Sequence, residues 1–154
     1  MGEAGKPNIV IQPIKNGKIT SGYGMRKSPF NFAVNEMHRG IDIKPTDDLN
    51  VYCAIDSVVS YIDKTPVYDK STNKGSFGNV VYTKMADGWF CIYPHMASIN
   101  DNIKVGLELK AGNKIGIVGN TGLSAGVHLH FEIRNNMTVN SKSREPKEVS
   151  VLYL

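Results

Sequence analysis

Short apolar runs separated by turn residues make up most of this 154-residue chain. Within them apolar and polar side chains alternate, or β-branched and aromatic residues cluster, which predicts strands rather than helices. Helical periodicity is scarce, and the stretch ASINDNIKVG (97–106) is expected to hold one helical turn at most. The predicted strands are NIVIQPI (8–14), KITSGYG (18–24), VYCAIDSVVSYI (51–62), GNVVYTKM (78–85), GWFCIYPHM (88–96), KIGIVG (114–119) and VHLHFEIR (127–134).

Many short strands with turn signals between them indicate a mostly β fold, a single domain built on an antiparallel sheet. The length fits one domain, residues 1–154, with its core from about residue 7 onward. Residues 63–78 are polar, contain Pro and Gly, and lie between two strand runs, so they predict a long hairpin loop. The polar tail after Asn135 ends in VSVLYL (149–154), which we expect to pack back on the domain.

Composition narrows the class of protein. Hydrophobic residues at 41% and charged residues at 21% are typical of globular domains and exclude disordered and fibrous classes. No apolar run approaches the roughly 20 residues that cross a bilayer, and residues 1–13 lack the apolar core of a secretory signal. We therefore expect no membrane span, and either a protein made without such a signal or a domain excised from a longer one.

A net charge of +4 and a pI near 9.0 suit an anionic partner, such as nucleic acid or a bacterial cell wall, or are simply those of an ordinary basic surface. No basic run interleaved with aromatic residues occurs, so nucleic acid is not an expected partner. Cys53 and Cys91 lie in apolar runs and are expected to be buried as small hydrophobic residues. The stretch GNTGLSAG (119–126) lacks the Gly-Lys-Ser/Thr ending of a phosphate loop and predicts a turn.

The last predicted strand carries two of the chain's four histidines. Its polar face holds His128, His130, Glu132 and Arg134. Its other face is apolar and is expected in the core, with Leu129, Phe131 and Ile133. The Cα atoms of the two histidines would lie about 7 Å apart, so one imidazole can bind a metal while the other reaches a bound water or a substrate. The alternative is a solvated strand face with two idle histidines.

The other two histidines lie in MHRGIDI and YPHM. His38 and Asp42 would be about 13 Å apart on a flat strand, too far for chelation at about 2 Å, but Gly40 permits a bend that brings them together. His95 follows an apolar strand and stands just before a turn. A catalytic zinc needs three protein ligands and an open position, which His38, Asp42 and one histidine of the pair can supply.

That assignment leaves His95 and the other paired histidine for proton transfer and stabilisation of the transition state. The sequence contains no HExxH, so we expect the general base to be a histidine rather than a glutamate. Glu132 either orients an imidazole or forms a salt bridge, and Arg134 either pairs with a carboxylate or faces solvent.

HRGID, YPHM and HLHFE, in that order, resemble the motif set of the lysostaphin-type (LytM-like) zinc endopeptidases, a family of peptidoglycan hydrolases. The similarity extends over roughly residues 18–134 and includes ITSGYGMR, VYCAIDSVVSYI and VGNTGLSAGVHLHFEIR. Val127 departs from the proline found in many relatives. The resemblance implies a zinc ion bound by His38, Asp42 and His130, with a catalytic pair beside it formed by His95 and His128.

The resemblance also implies a long substrate groove walled by loops, for which residues 26–36, 63–78 and 120–126 are the candidates. It implies a zinc-dependent endopeptidase that cuts the stem peptide or cross-bridge of peptidoglycan from outside the membrane. We expect the 63–78 loop to influence specificity and to bury little, so that shortening it costs little stability.

Several alternatives stay open from the sequence. Delivery to the wall can occur in a phage virion, with other phage tail proteins as partners; a phage lysis enzyme or a domain of a secreted bacterial enzyme are the other options. The competing function classes are a non-catalytic wall-binding or activator module on the same fold, and a structural zinc domain.

Overall fold

The structure is a computed structural model, and it describes residues 11–28, 33–72, 74–122, 124, 126–136 and 143–144. These residues form strands and no helix, as the periodicity predicts. All strand pairings among them are antiparallel. The strands are β1 (Lys18–Ser21), β2 (Gly24–Lys27), β3 (Asn35–His38), β4 (Gly40–Lys44), β5 (Asn50–Tyr52), β6 (Ser57–Lys64), β7 (Asn79–Lys84), β8 (Phe90–Met96), β9 (Ser98–Ile99), β10 (Glu108–Leu109), β11 (Lys114–Ile117), β12 (Leu129–Arg134) and β13 (Ser143–Arg144).

One large sheet carries the fold, in the order β1-β4-β12-β8-β7-β6-β10, and β13 also pairs with β12. Two smaller sheets accompany it, β5-β11-β9 and the hairpin β2-β3. Alternation along β12 buries its apolar residues in the main core, as predicted from the sequence. The opposite face of the large sheet carries a second small cluster around Val80, Tyr82 and Ile92, with Phe77 packed against it.

Several predicted strands have different limits in the structure. Within residues 11–14, the described part of the first predicted strand, there is no strand. Ile11 and Ile14 are still buried, and the Ile11 N–H donates to the Ala54 carbonyl at 2.9 Å, so this segment packs without joining a sheet. The run 18–24 contributes to two strands of different sheets. The predicted closing run 149–154 lies outside the described residues.

Both cysteines are fully buried, as expected, and within the described chain neither forms a disulfide. No helix in the described residues is long and apolar enough to span a membrane.

The chain passes from one sheet to another between His38, which ends β3, and Gly40, which begins β4. The predicted bend at Gly40 is present and brings His38 and Asp42 together, although the φ of Gly40 lies outside the left-handed region. A Cβ at this position would lie 2.2 Å from the carbonyl oxygen of Phe131. Glycine is therefore required so that β4 can approach β12, which aligns Asp42 directly opposite His130.

The 63–78 segment connects β6 to β7, which pair with each other, so it is the predicted hairpin loop. Its middle is exposed, with Val67 at 76%. Its final residues return to the sheet: Phe77 packs on the small cluster, and a Cβ at Gly78 (φ +61°) would lie 2.4 Å from Thr121 Oγ1. The expectation that this loop buries little therefore fails for its last few residues.

Candidate metal centre

Three side chains predicted as ligands converge at the junction of β3, β4 and β12. His38 Nε2 lies 3.1 Å from Asp42 Oδ1 and 3.1 Å from His130 Nδ1, and the last two atoms are 2.8 Å apart. Among the described residues this is the group of His, Cys, Asp and Glu side chains with the spacing to hold a metal ion. The side chains are largely buried, with 2% of His38, 13% of Asp42 and 14% of His130 exposed.

This triangle of donor atoms fits zinc. Ligand bonds of about 2.0–2.1 Å in a tetrahedron place neighbouring donor atoms about 3.3 Å apart. The observed separations of 2.8–3.1 Å are only a few tenths of an ångström shorter, so an ion requires a small outward movement of the side chains. Two imidazole nitrogens and one carboxylate oxygen are also a donor set that zinc prefers.

His38 is held in the orientation that directs Nε2 toward the other two donors. Its Nδ1 lies 2.7 Å from the Gly22 carbonyl oxygen, which can only accept, so the ring proton is on Nδ1. Nε2 of the neutral ring therefore carries the lone pair that a metal needs. The turn between β1 and β2 supplies this support.

Arg26 of β2 supports the carboxylate. Its Nη1 donates to Asp42 Oδ2 at 3.0 Å and to Ser21 Oγ at 2.7 Å. Asp42 Oδ1 faces the nitrogens of His38 and His130. One oxygen of the carboxylate therefore accepts from Arg26, and the other faces the two histidines.

His130 is supported from the other side of its ring. Its Nε2 lies 2.6 Å from Glu132 Oε2, and Arg134 Nε donates to Glu132 Oε1 at 2.6 Å. A carboxylate that accepts from the far nitrogen of a ligating imidazole fixes its tautomer and raises its basicity. The structure thus realises both sequence-based options for Glu132, since it orients an imidazole and forms a salt bridge. Arg134 is buried and pairs with that carboxylate rather than facing solvent.

The pKa values of Asp42 and His130 are set by their burial and by their contacts with neighbouring side chains. Burial raises the pKa of Asp42, but hydrogen bonds with His130 and His38 outweigh it and hold that pKa far below its usual range. Burial lowers the pKa of His130, but Asp42 and Glu132 outweigh it and raise the pKa to about 9. A metal ion bound at His130 Nδ1 would displace the proton that these two carboxylates favour on the ring.

The other two histidines lie beside the triangle. His128 precedes β12 rather than lying within it, so the predicted side-by-side pair on one strand is only partly realised. Its Nδ1–H donates to the Gly126 carbonyl at 2.7 Å, and its Nε2 lies 3.6 Å from Asp42 Oδ1. Its side chain is 20% exposed, which is more than that of His38, Asp42 or His130.

His95 lies within β8, at a bulge, and not after the strand as the sequence suggested. Its φ of +61° is in the left-handed region, which is unfavourable for a residue with a Cβ and turns the side chain out of the strand's alternation. The ring centre lies 6.0 Å from that of His128 and 6.4 Å from that of His130. Such strained residues cluster at functional sites.

Contacts around His95 hold its ring in one tautomer. Nδ1–H donates to the Thr121 carbonyl at 2.8 Å, so Nε2 carries the lone pair. Burial lowers the pKa of His95 to about 4, so the ring is neutral at pH 7 and can accept a proton.

All five predicted site residues therefore lie in one region, and each predicted wall segment contacts one of them. Arg26 contacts Asp42, Phe77 packs against His95, and Thr121 accepts from His95. Sequence reasoning did not single out Arg26 or Phe77 as supports of particular side chains. Arg26 lies in SGYGMR and Phe77 in GSFGN. Neither local pattern indicates a contact with a side chain that is distant in the sequence.

Comparison with known proteins agrees with this geometry. The sequence profile of Peptidase family M23 matches residues 36–143. The DD-carboxypeptidase/endopeptidase Mpg of Neisseria meningitidis serogroup B is 31% identical over 131 residues, which are 85% of this chain and 27% of Mpg. Peptidoglycan DD-endopeptidase ShyC of Vibrio cholerae is 27% identical over 150 residues, which are 97% of this chain and 31% of ShyC. The chain thus spans about a third or less of these relatives.

Among solved structures, the catalytic domain of the antimicrobial peptidase lysostaphin from Staphylococcus simulans has a TM-score of 0.68 and 28% identity. The match covers 86% of this chain and 91% of that domain. The mostly β fold and the resemblance to lysostaphin-type peptidases predicted from the sequence are both confirmed. On the profile match, the relatives and the shared fold together, this chain belongs to Peptidase family M23.

Proposed function

We propose that this chain is the catalytic domain of a zinc-dependent endopeptidase that hydrolyses peptide bonds of bacterial peptidoglycan. The observation that carries the proposal is the convergence of His38, Asp42 and His130 within about 3 Å of one another, beside two further imidazoles. The name of the relative ShyC, a peptidoglycan DD-endopeptidase, supports peptidoglycan as the substrate class.

The roles of the residues follow from their contacts. His38, Asp42 and His130 would hold the zinc ion, which would supply a Lewis acid for a peptide carbonyl and for a water molecule. His95 is neutral and presents a lone pair on Nε2, so it accepts the proton of the attacking water. His128 is the more exposed of the two remaining imidazoles and its Nε2 lies 3.6 Å from Asp42 Oδ1, so we assign it the hydrogen bond to the developing oxyanion and the protonation of the leaving amine.

The alternatives fit less well. A non-catalytic wall-binding module does not need five polar side chains assembled with His95 in a strained conformation. A structural zinc domain needs four protein ligands in a closed site, whereas the described residues bring three donor atoms together.

A direct test digests purified cell walls with the protein after chelation and after addition of one equivalent of zinc. We expect new amino and carboxyl groups to appear only with zinc, and mass spectrometry of the released fragments to identify the bond. His95→Ala tests catalysis separately, because it should retain zinc and lose most of the activity. Binding to walls without release of new termini, in protein that carries zinc, would favour the non-catalytic module instead.

The class of bond, in the stem peptide or the cross-bridge, is also a prediction, and so are the partners of the domain. Delivery by a phage virion, with tail proteins as partners, remains a prediction that the fold and the site do not bear on. Digestion of walls with different cross-bridge chemistries, followed by sequencing of the fragments, addresses the bond.

A further inference from the structure

We infer that Phe77 and Arg134 are positioning residues that connect the metal ligand His130 to the proton acceptor His95. The line of contacts runs from His130 through Glu132 to Arg134, then through the Phe77 ring to His95. The inference rests on the proposed function for the meaning of a metal ligand and a proton acceptor, but the contacts themselves do not depend on it.

The first half of the line is ionic. Glu132 accepts from His130 Nε2 and from Arg134 Nε, each at 2.6 Å. Only 4% of the Glu132 side chain and 8% of the Arg134 side chain are exposed, so water does not screen this pair. Any displacement of the His130 ring is therefore transmitted to the guanidinium group.

The second half is aromatic. The guanidinium carbon of Arg134 lies 5.3 Å from the centre of the Phe77 ring, a distance that gives a cation–π attraction. The same ring meets the imidazole of His95 edge to face, at 6.0 Å between centres and an angle of 87°. Phe77 thus has Arg134 and the proton acceptor as neighbours.

Phe77 also contacts His95 through the backbone. The His95 N–H donates to the Phe77 carbonyl oxygen at 2.7 Å. This bond lies at the bulge between β7 and β8, where the regular ladder is interrupted and the φ of His95 is +61°. A residue in such a conformation persists only where its surroundings hold it, and Phe77 supplies both a backbone and a side-chain contact.

Removal of the ring should therefore release the His95 imidazole while leaving the metal ligands in place. The test compares Phe77→Leu, which keeps apolar bulk, with Phe77→Tyr, which keeps the ring. Tyr61→Leu is the control, since Tyr61 packs edge-on against Tyr82, which also neighbours Phe77, while the ring contacts of His95 among the described residues are with Phe77, His128 and His130. Zinc affinity, melting temperature, kcat and KM are measured for each protein.

We expect Phe77→Leu to lower kcat by about ten- to a hundredfold, the size of effect caused by misplacing a catalytic group by about 1 Å. KM and zinc affinity should stay within about twofold of the parent values, because no metal ligand is touched. Phe77→Tyr should restore most of kcat. Arg134→Lys keeps the charge but loses the planar face, and should lower both zinc affinity and kcat.

A second readout does not use catalysis. Long-range nitrogen–proton NMR spectra of the zinc-loaded protein should show His95 protonated on Nδ1 alone in the parent and the Tyr61→Leu control. In Phe77→Leu we expect a mixture of tautomers. If the parent does not cleave wall peptides with zinc, the proposed function fails, and this spectrum still decides the inference. Unchanged His95 signals in Phe77→Leu would overturn it, as would a Phe77→Tyr variant as impaired as Phe77→Leu.

Discussion

Glu132→Gln is the substitution that most directly tests how the metal centre is supported. Both carboxylate oxygens of Glu132 accept, Oε2 from His130 and Oε1 from Arg134. Glutamine has one carbonyl oxygen and one NH2 group, so it cannot accept from both partners: either a donor is left without an acceptor, or His130 gives up its Nε2 proton. The change keeps the volume of the side chain and removes only its ability to accept twice.

The structure sets the size of the expected effects. A buried donor without an acceptor costs about 1–3 kcal/mol, and both partners of Glu132 are largely buried. We therefore expect the free energy of unfolding of the metal-free protein to fall by that amount. A support of this kind also changes metal affinity by about 10–100-fold, so zinc should bind more weakly by about 1.4–2.7 kcal/mol. Glu132→Ala should be worse, at about 3–5 kcal/mol, because it leaves the Arg134 charge buried without a partner.

Urea unfolding of the metal-free protein measures the first quantity, and competition with a chromogenic chelator measures zinc affinity. Glu108→Gln is the matched control: it makes the same chemical change at an exposed position on β10 and should change stability by less than about 0.5 kcal/mol. If Glu132→Gln matched this control in both measurements, the reasoning that Glu132 supports His130 would be refuted.

Three further predictions concern other parts of the site. Gly40→Ala should destabilise the protein by about 1–3 kcal/mol in thermal or urea unfolding, because its methyl group would meet the Phe131 carbonyl oxygen; unchanged stability would mean that β4 and β12 separate easily. His128→Ala should keep zinc in elemental analysis and lose most wall-lytic activity, whereas His130→Ala should lose zinc; equal metal loss in both would mean shared ligand roles. Replacing residues 67–74 with a short Gly-Ser link should alter relative cleavage rates among cross-linked peptides at a nearly unchanged melting temperature, and unaltered rates would assign specificity elsewhere.

The prediction for the 63–78 loop differs from the expectation drawn from the sequence because of the contacts of Phe77. From the sequence, all of 63–78 reads as polar surface that can be removed at little cost. The structure shows that Phe77 packs against both His95 and Arg134, so a deletion that includes it would disturb the site and confuse specificity with positioning. Only the exposed middle of the loop is suitable for the test.

The sequence alone determined the class of fold and the kind of chemistry. Alternating runs with turn residues between them predict strands, because successive side chains of a strand point to opposite faces of the sheet. The same alternation separated the polar face of β12 from its apolar face correctly. The resemblance of three ordered motifs to those of a known family pointed to the five candidate site residues.

Tertiary structure decided which atoms meet. The requirement for glycine at position 40 comes from the carbonyl of Phe131, which lies 91 residues further along the chain, so no local pattern reveals it. The strained backbone of His95 depends on a bulge in the pairing of β7 with β8. The supports of the site, Arg26, Phe77 and Thr121, act through single contacts that form only when distant strands and loops are packed together. Local periodicity carries information about burial, whereas the register between strands and the packing of loops determine the geometry of the metal centre.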